Sequence, residues 1–418
     1  MAKSLMELAM SNQPTWAKAR VFYGWYVVAA AFSVTFVGFG CAYTFSAFID
    51  SLQRDFGASR GSVSLVFSFA GFLYFGLGAA TGPLADRWGS RRFAILGMIL
   101  TGLGIAAAGM AHSLVEVYTA YGLGVGLGVG CSYVPAVGAV QRWFVKRRGL
   151  ASGLAVSGIG AGTLVMPPLA SYLISILGWR DAYIALGVLA IAVGASMALL
   201  IRNDPADCGL EPDGDPVGAT KPALPAGIAV LDAIKSRQFI GLYVACLICS
   251  LGVFVPFVHL VPYALDHGIP QSKAILLLAM IGVGSTAGRF FLGSLADRIG
   301  RRSTLIAMYI CLALTLAAWA FSTGVWTLGA FAFAFGVFYG GWVAVLPAVV
   351  MDYFGGRNVS GIIGLLFTSA AFGTLVGPAA TGFAFDVTHS YTLPIFAGAG
   401  ANIIAACIVA GSAGPKLT

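Results

Sequence analysis

Charge is scarce in this chain and gathered into short clusters, and between the clusters run stretches of twenty or more mostly apolar residues. That pattern sets the solvent. Only 10% of the residues are charged and 59% are hydrophobic, where a soluble domain carries about 25% charged residues. A membrane-spanning helix needs roughly 20 apolar residues. Lipid offers the backbone no hydrogen bonds, so spans must be helices or the strands of a closed barrel. The runs here are long and continuous rather than alternating, which argues against a barrel. The expectation is an all-α membrane protein with twelve spans, near 22–50, 61–84, 93–112, 115–141, 149–177, 181–201, 239–266, 272–295, 303–323, 326–351, 359–385 and 391–413. The 56 glycines fit close approach between such helices.

One connection is long and polar. Residues 202–238 hold Pro205, Pro212, Pro216, Pro222 and Pro225 and a run of acids from Asp204 to Asp215, the composition of a linker. It divides the chain into an N-terminal bundle of six spans (1–201) and a C-terminal one (239–418). The halves repeat each other. GPLADRWGSRR, Gly82 to Arg92, recurs as GSLADRIGRR, Gly293 to Arg302, with Asp86 and Asp297 211 positions apart. The Gly-Thr-Leu-Val-x-Pro string at 162–167 recurs at 373–378, with the same offset. Two parallel six-helix repeats around a central linker are a transporter architecture. Placing both termini in the cytoplasm puts 19 of the 24 lysines and arginines there and leaves Arg54, Arg60, Arg180 and Lys273 outside, as the positive-inside rule expects.

The same distribution explains the net charge of +8 without nucleic acid. The seven cysteines are scattered, and Cys246 and Cys249 lie inside a span, so no disulfide framework, metal or cofactor is expected. The first twenty residues are polar, with Lys3, Lys18 and Arg20, and carry no cleavable signal pattern. There is no phosphate-binding loop and no nucleophile–base pair, so an enzyme or ATP-driven pump is not expected. A receptor would need an output domain, and the linker and tails are short.

The remaining basic residue is Arg289, inside the apolar stretch from Ala274 to Leu295 with no other charge. A cation at that depth costs from about 2.5 to above 10 kcal/mol and marks a functional site by default. No carboxylate lies at comparable depth in the chain, so its natural partner is an anion that comes and goes. A planar guanidinium offers paired donors that match a carboxylate. The competing reading is a structural pairing with backbone carbonyls.

The repeated Gly-x-Leu-Ala-Asp-Arg-x-Gly loop resembles the signature of the major facilitator superfamily, and the resemblance covers the whole chain. It implies two pseudo-symmetric six-helix bundles rocking about a central cavity. It also implies a breakable latch between helices made by Asp86, Arg87, Arg91, Arg92, Asp297, Arg298, Arg301 and Arg302; exposed ion pairs are weak enough to open each cycle. Alternatively these charges only set topology and cap helices.

A narrower likeness rests on Tyr23-Gly24-Trp25, on Tyr133-Val134-Pro135 with Arg142-Trp143-Phe144, and on Arg147-Arg148-Gly149-Leu150-Ala151-Ser152-Gly153-Leu154-Ala155. These strings are similar to the monocarboxylate transporter family and its bacterial relatives, including oxalate–formate antiporters. Animal members have an acid before the Gly-Trp of the first span. Phe22 and Tyr23 stand there instead, which places the chain nearer the bacterial branch and implies a bacterial plasma membrane. The resemblance implies that Arg289 binds the substrate carboxylate. Ser285 stands one turn earlier, where many animal members carry an aspartate. No cation occurs from Gly361 to Phe372, where the antiporters carry a lysine. One buried cation favours a single carboxylate, such as lactate or pyruvate, over oxalate; the antiporter remains the alternative.

A symporter also needs a titrating group. His259 is the one other ionisable side chain deep in a span, and Asp266 lies two turns on along the same face. The pair is expected to carry the proton, with Asp266 as relay or orienting partner; the competing readings are a neutral histidine tying two helices and a plain interfacial charge at Asp266. Pro256 and Pro262 imply a bent, gate-like helix around them. Tyr43, Tyr133 and Tyr339 are candidates to line the cavity and donate to the substrate, or else packing residues. The expected partners are the monocarboxylate, a proton and the bilayer, with the chain acting as a monomer.

Overall fold

The computed structural model describes residues 22–144, 147–214, 228–355 and 359–412, and among these every side chain but those at 86, 148, 149, 294, 297, 359 and 360. The described residues form long apolar helices. They are α1 (Gly24–Phe56), α2 (Arg60–Ala85), α3 (Ser90–Gly109) and α4 (Leu114–Trp143), then a 49-residue stretch, Leu150–Ala198. Gly178 interrupts that stretch with φ +81° and ψ 167°, a conformation only glycine adopts freely. It divides the stretch into α5 (150–177) and α6 (179–198). The second half follows as α7 (Arg237–Asp266), α8 (Gln271–Ile299), α9 (Arg301–Ala320), α10 (Val325–Phe354), α11 (Val359–Thr388) and α12 (Thr392–Gly411). The expected twelve spans are present, and no strand occurs among the described residues.

Between the halves the chain makes short 3₁₀ turns at Pro205–Cys208 and Pro212–Gly214 and a short helix, Val230–Lys235. The acid expected at Asp215 and the prolines at 216, 222 and 225 fall outside the described residues. Asp204 caps its turn and is capped in return through Asp207, so the acidic run is locally ordered by its own hydrogen bonds.

Each half packs on itself: α1 on α5 and α3 on α4 in the first, α8 on α10 and α9 on α12 in the second. Two crossings join the halves, α2 with α11 and α5 with α8. They are equivalent under the 211-residue repeat. In both, small residues bring backbones together. A Cβ on Gly282 of α8 would stand 2.5 Å from the Leu164 nitrogen of α5. A Cβ on Gly160 would stand 2.2 Å from Thr286 Oγ1. In lipid, where tails compete with apolar side chains, such van der Waals contact is what holds helices together. The outer faces carry exposed apolar side chains, Phe291, Leu314, Leu103 and Val188 among them.

The helix ends lie at two poles. The proximal pole holds the start of α1, the end of α12 and the repeated Asp-Arg loops. The distal pole holds the α1–α2, α7–α8 and α11–α12 connections. The α7 helix is broken at Phe254 (φ −90°, ψ −8°), just ahead of Pro256, and Pro262 sits inside its second segment. The bend expected from the two prolines is present, and it turns the α7 segment Val255–Asp266 against the distal end of α1.

Candidate functional site

Arg289 sits on α8 facing the middle of the molecule and is 7% exposed. Its Nη1 donates to the Ser285 hydroxyl at 2.7 Å and less directly to the Ser285 carbonyl at 3.4 Å. Ser285 lies one turn earlier on the same helix, so helical geometry alone supplies this contact. Nε and Nη2 are buried without a hydrogen-bond partner. Among the described residues no carboxylate pairs with Arg289. Unsatisfied donors on a buried cation are costly, so the site is left incomplete by the protein itself.

Three tyrosines gather around that cation. The Tyr339 ring of α10 lies 6.0 Å from the guanidinium carbon. Its hydroxyl is 3.4 Å from that of Tyr43 on α1, across the boundary between the halves. Tyr43 stacks on Phe257 of α7, with ring centroids 4.5 Å apart. Tyr133 of α4 stands edge-on to Phe39 at 5.1 Å. Tyr133 and Tyr339 share a narrow apolar cleft of about 20 Å³ with Phe75, Trp342 and Phe367. All five of the residues read from the sequence as substrate ligands thus fall in one region between the bundles.

The proton pair is arranged differently from the expectation. His259 and Asp266 do not touch. Seven residues of helix rise about 10 Å, beyond hydrogen-bond reach. His259 is fully buried, with Nε2 2.8 Å from the Pro378 carbonyl of α11 and Nδ1 3.3 Å from the Tyr391 hydroxyl. Asp266 instead accepts two bonds from Arg60 of α2, at 2.5 and 3.1 Å. Arg60 also donates to Tyr391 at 2.8 Å and lies over the Phe385 ring at 4.2 Å. The Asp386 carboxylate of α11 accepts from the backbone nitrogens of Arg60 and Gly61, at 2.9 and 2.8 Å, at the positive end of α2. Sequence reasoning passed over Arg60, Tyr391 and Asp386. The available signal was that Arg60 is one of only four basic residues placed on the side where the charge rule makes them rare. Beneath this cluster, between the halves, is a polar cavity of about 120 Å³ lined by Ser46, Asp50, Gln53 and Gln271.

At the proximal pole the basic residues do several things. Arg301 donates to Asp352 at 2.7 Å, joining α9 to α10. Arg302 donates to the Val409 and Ala410 carbonyls that end α12. These bonds lie within one half. Arg142, at the end of α4, holds the Ser90 hydroxyl and the Asn203 side chain at 2.8 and 2.6 Å. Arg91 is half-buried, and Arg87, Arg92 and Arg298 are exposed. The side chains of Asp86 and Asp297, the acids of the expected latch, lie outside the description.

The Major Facilitator Superfamily model matches residues 30–293 and 240–414. Monocarboxylate transporter 3 of Rattus norvegicus is 31% identical over 391 residues, spanning 92% of this chain and 78% of its own. Monocarboxylate transporter 12-B of Danio rerio is 31% identical over 404 residues, spanning 90% and 83%. Monocarboxylate transporter 11 of Mus musculus is 30% identical, spanning 88% and 83%. Among solved structures, a bacterial homologue of the human lysosomal transporter Spinster, inward-facing and unoccupied, superposes with a TM-score of 0.69. It covers 94% of this chain and 97% of its own at 17% identity, a likeness of fold alone. The chain therefore belongs to the monocarboxylate transporter family of the Major Facilitator Superfamily, and is a transporter rather than an enzyme.

Proposed function

We propose that the protein carries a small monocarboxylate of the lactate–pyruvate class across a plasma membrane together with a proton. The observation that carries this reading is Arg289: a buried guanidinium with Nε and Nη2 unpartnered, with the Tyr339 ring 6.0 Å away. A carboxylate binding there supplies two charge-assisted bonds and the missing counter-charge. Ser285 holds the guanidinium from the opposite side. Tyr43, Tyr133 and Tyr339 would close on the rest of the acid. These animal relatives are named as monocarboxylate transporters, which supports the same cargo. The lack of a second cation between Gly361 and Phe372 favours one carboxylate over two.

His259 is the proton site in this reading. An anion entering with a proton moves no net charge, so the pH gradient drives transport and the membrane potential does not. The two bundles (1–201 and 239–418) rock about the α2–α11 and α5–α8 crossings, with residues 202–238 as the connecting linker. The proximal pole faces the cytoplasm with both termini. The departure at Phe22 and Tyr23 supports the bacterial branch and its plasma membrane, and nothing in the cycle requires more than one copy. The arginines of the repeated loops, with Asp86 and Asp297, would stabilise the proximal closure.

Purified protein in liposomes tests this directly. An inward proton gradient should drive accumulation of labelled lactate or pyruvate, and a protonophore should abolish it. Accumulation that ignores the protonophore and needs internal counter-substrate would establish exchange of the oxalate–formate type instead. Undiminished uptake by an Arg289→Met protein would remove the proposed site.

A further inference from the structure

The distal cluster fixes the direction of each of its hydrogen bonds. A carbonyl only accepts, so His259 Nε2, 2.8 Å from the Pro378 oxygen, carries a proton. In the neutral ring Nδ1 is then the acceptor, and the Tyr391 hydroxyl donates to it. The Tyr391 oxygen in turn accepts from Arg60. The chain runs one way: Arg60 to Tyr391 to His259 to α11. It spans the boundary between the halves, because Arg60 begins α2 while the other members belong to the second bundle.

We propose that Arg60 and Tyr391 couple protonation of His259 to opening of the distal gate. The inference rests on the reading of His259 as the proton site, and not on the identity of the cargo. A proton arriving on His259 lands on Nδ1, the atom that now accepts. Tyr391 must then turn its own proton away and receives donors from two cations. Those cations stand within about 6 Å of each other, the two bonds laid end to end. The charged groups acting on His259 are Arg60 from α2, Asp386 from α11 and Asp266 from α7 itself, with Tyr391 from the start of α12. The two carboxylates would favour the proton, but both are committed. Asp266 holds Arg60, and Asp386 holds the backbone of Arg60 and Gly61. Whichever carboxylate turns toward the new cation releases a bond that ties α2 to the second half. Protonation therefore loosens the contacts that seal the distal pole, and the neutral ring restores them.

The test is a distance measurement without substrate. Spin labels at Gln53→Cys and Gln271→Cys, which line the distal cavity, are placed in a background whose seven native cysteines are replaced. Double electron–electron resonance in nanodiscs then reads open and closed populations between pH 8 and 5.5. The wild type should shift toward the open distance on acidification, by at most about tenfold in the population ratio per pH unit for one coupled proton. His259→Gln, Tyr391→Phe and Arg60→Lys should each flatten that response. Tyr391→Phe keeps the Arg60–Asp266 pair, and Arg60→Lys keeps a charge opposite Asp266. No substrate is present in the measurement, so a failed cargo reading leaves it untouched and is separated from a failed gate. A wild type blind to pH overturns the proposal. So does a wild-type response that survives in both Tyr391→Phe and Arg60→Lys.

Discussion

Replacing Arg289 with methionine should do two opposite things. In the empty protein the guanidinium is buried with Nε and Nη2 unsatisfied and only Ser285 as a partner. Each buried, unmade hydrogen bond costs about 1–3 kcal/mol. Methionine removes the charge and the orphan donors and keeps most of the volume, as when buried ions are replaced by apolar residues of similar size. The substrate-free variant should therefore be more stable, by about 2 kcal/mol, or about 2 °C in melting midpoint for a chain this long. Binding should move the other way. Two charge-assisted bonds worth about 1.5–3 kcal/mol each are lost, which is about 10² to 10⁴ in affinity. The assay is a thermal melt of wild type and variant in detergent, with and without lactate, pyruvate and a dicarboxylate control. The wild type should gain about 2.7 kcal/mol at a hundredfold excess over its dissociation constant, and the variant nothing. A variant that melts lower when empty, or that still shifts with the same acids, would show that the arginine is a structural element satisfied by its surroundings.

Three further outcomes follow from named contacts. Gly282→Leu places a side chain where a Cβ already meets the Leu164 backbone at 2.5 Å, so the α5–α8 crossing should jam. Turnover in liposomes should fall at least tenfold while a thermal-shift assay still detects substrate, and loss of binding instead would move Gly282 into the site. Tyr339→Phe removes a hydroxyl whose protein contact is a long bond to Tyr43, worth about 1 kcal/mol. KM should rise about fivefold or less with the fold intact, whereas a collapse of folding would make that phenol structural. His259→Gln should end proton-driven accumulation but leave substrate exchange, read by counterflow in the same liposomes; an unchanged pH profile would move the proton elsewhere.

The twelve spans and the repeat at 211 residues were legible in the linear chain, and so was Arg289 as a charge among apolar neighbours. Lipid is a harsh and uniform solvent. It forces each backbone group into a helix and makes every buried charge conspicuous, so composition along the chain translates almost directly into helices and outliers. Ser285 beside Arg289 was legible for the same reason, since residues four apart share a helix face. His259 with Asp266 was not, because reading along one helix cannot show what other helices bring. Tertiary structure placed Tyr391 between His259 and Arg60 and gave Asp266 to Arg60. It also brought Tyr43 to Tyr339 across 296 positions. Local sequence decides which helices form and which residues are costly to bury. The partner of a costly residue comes from a distant helix, and only the packing of the two bundles decides which one.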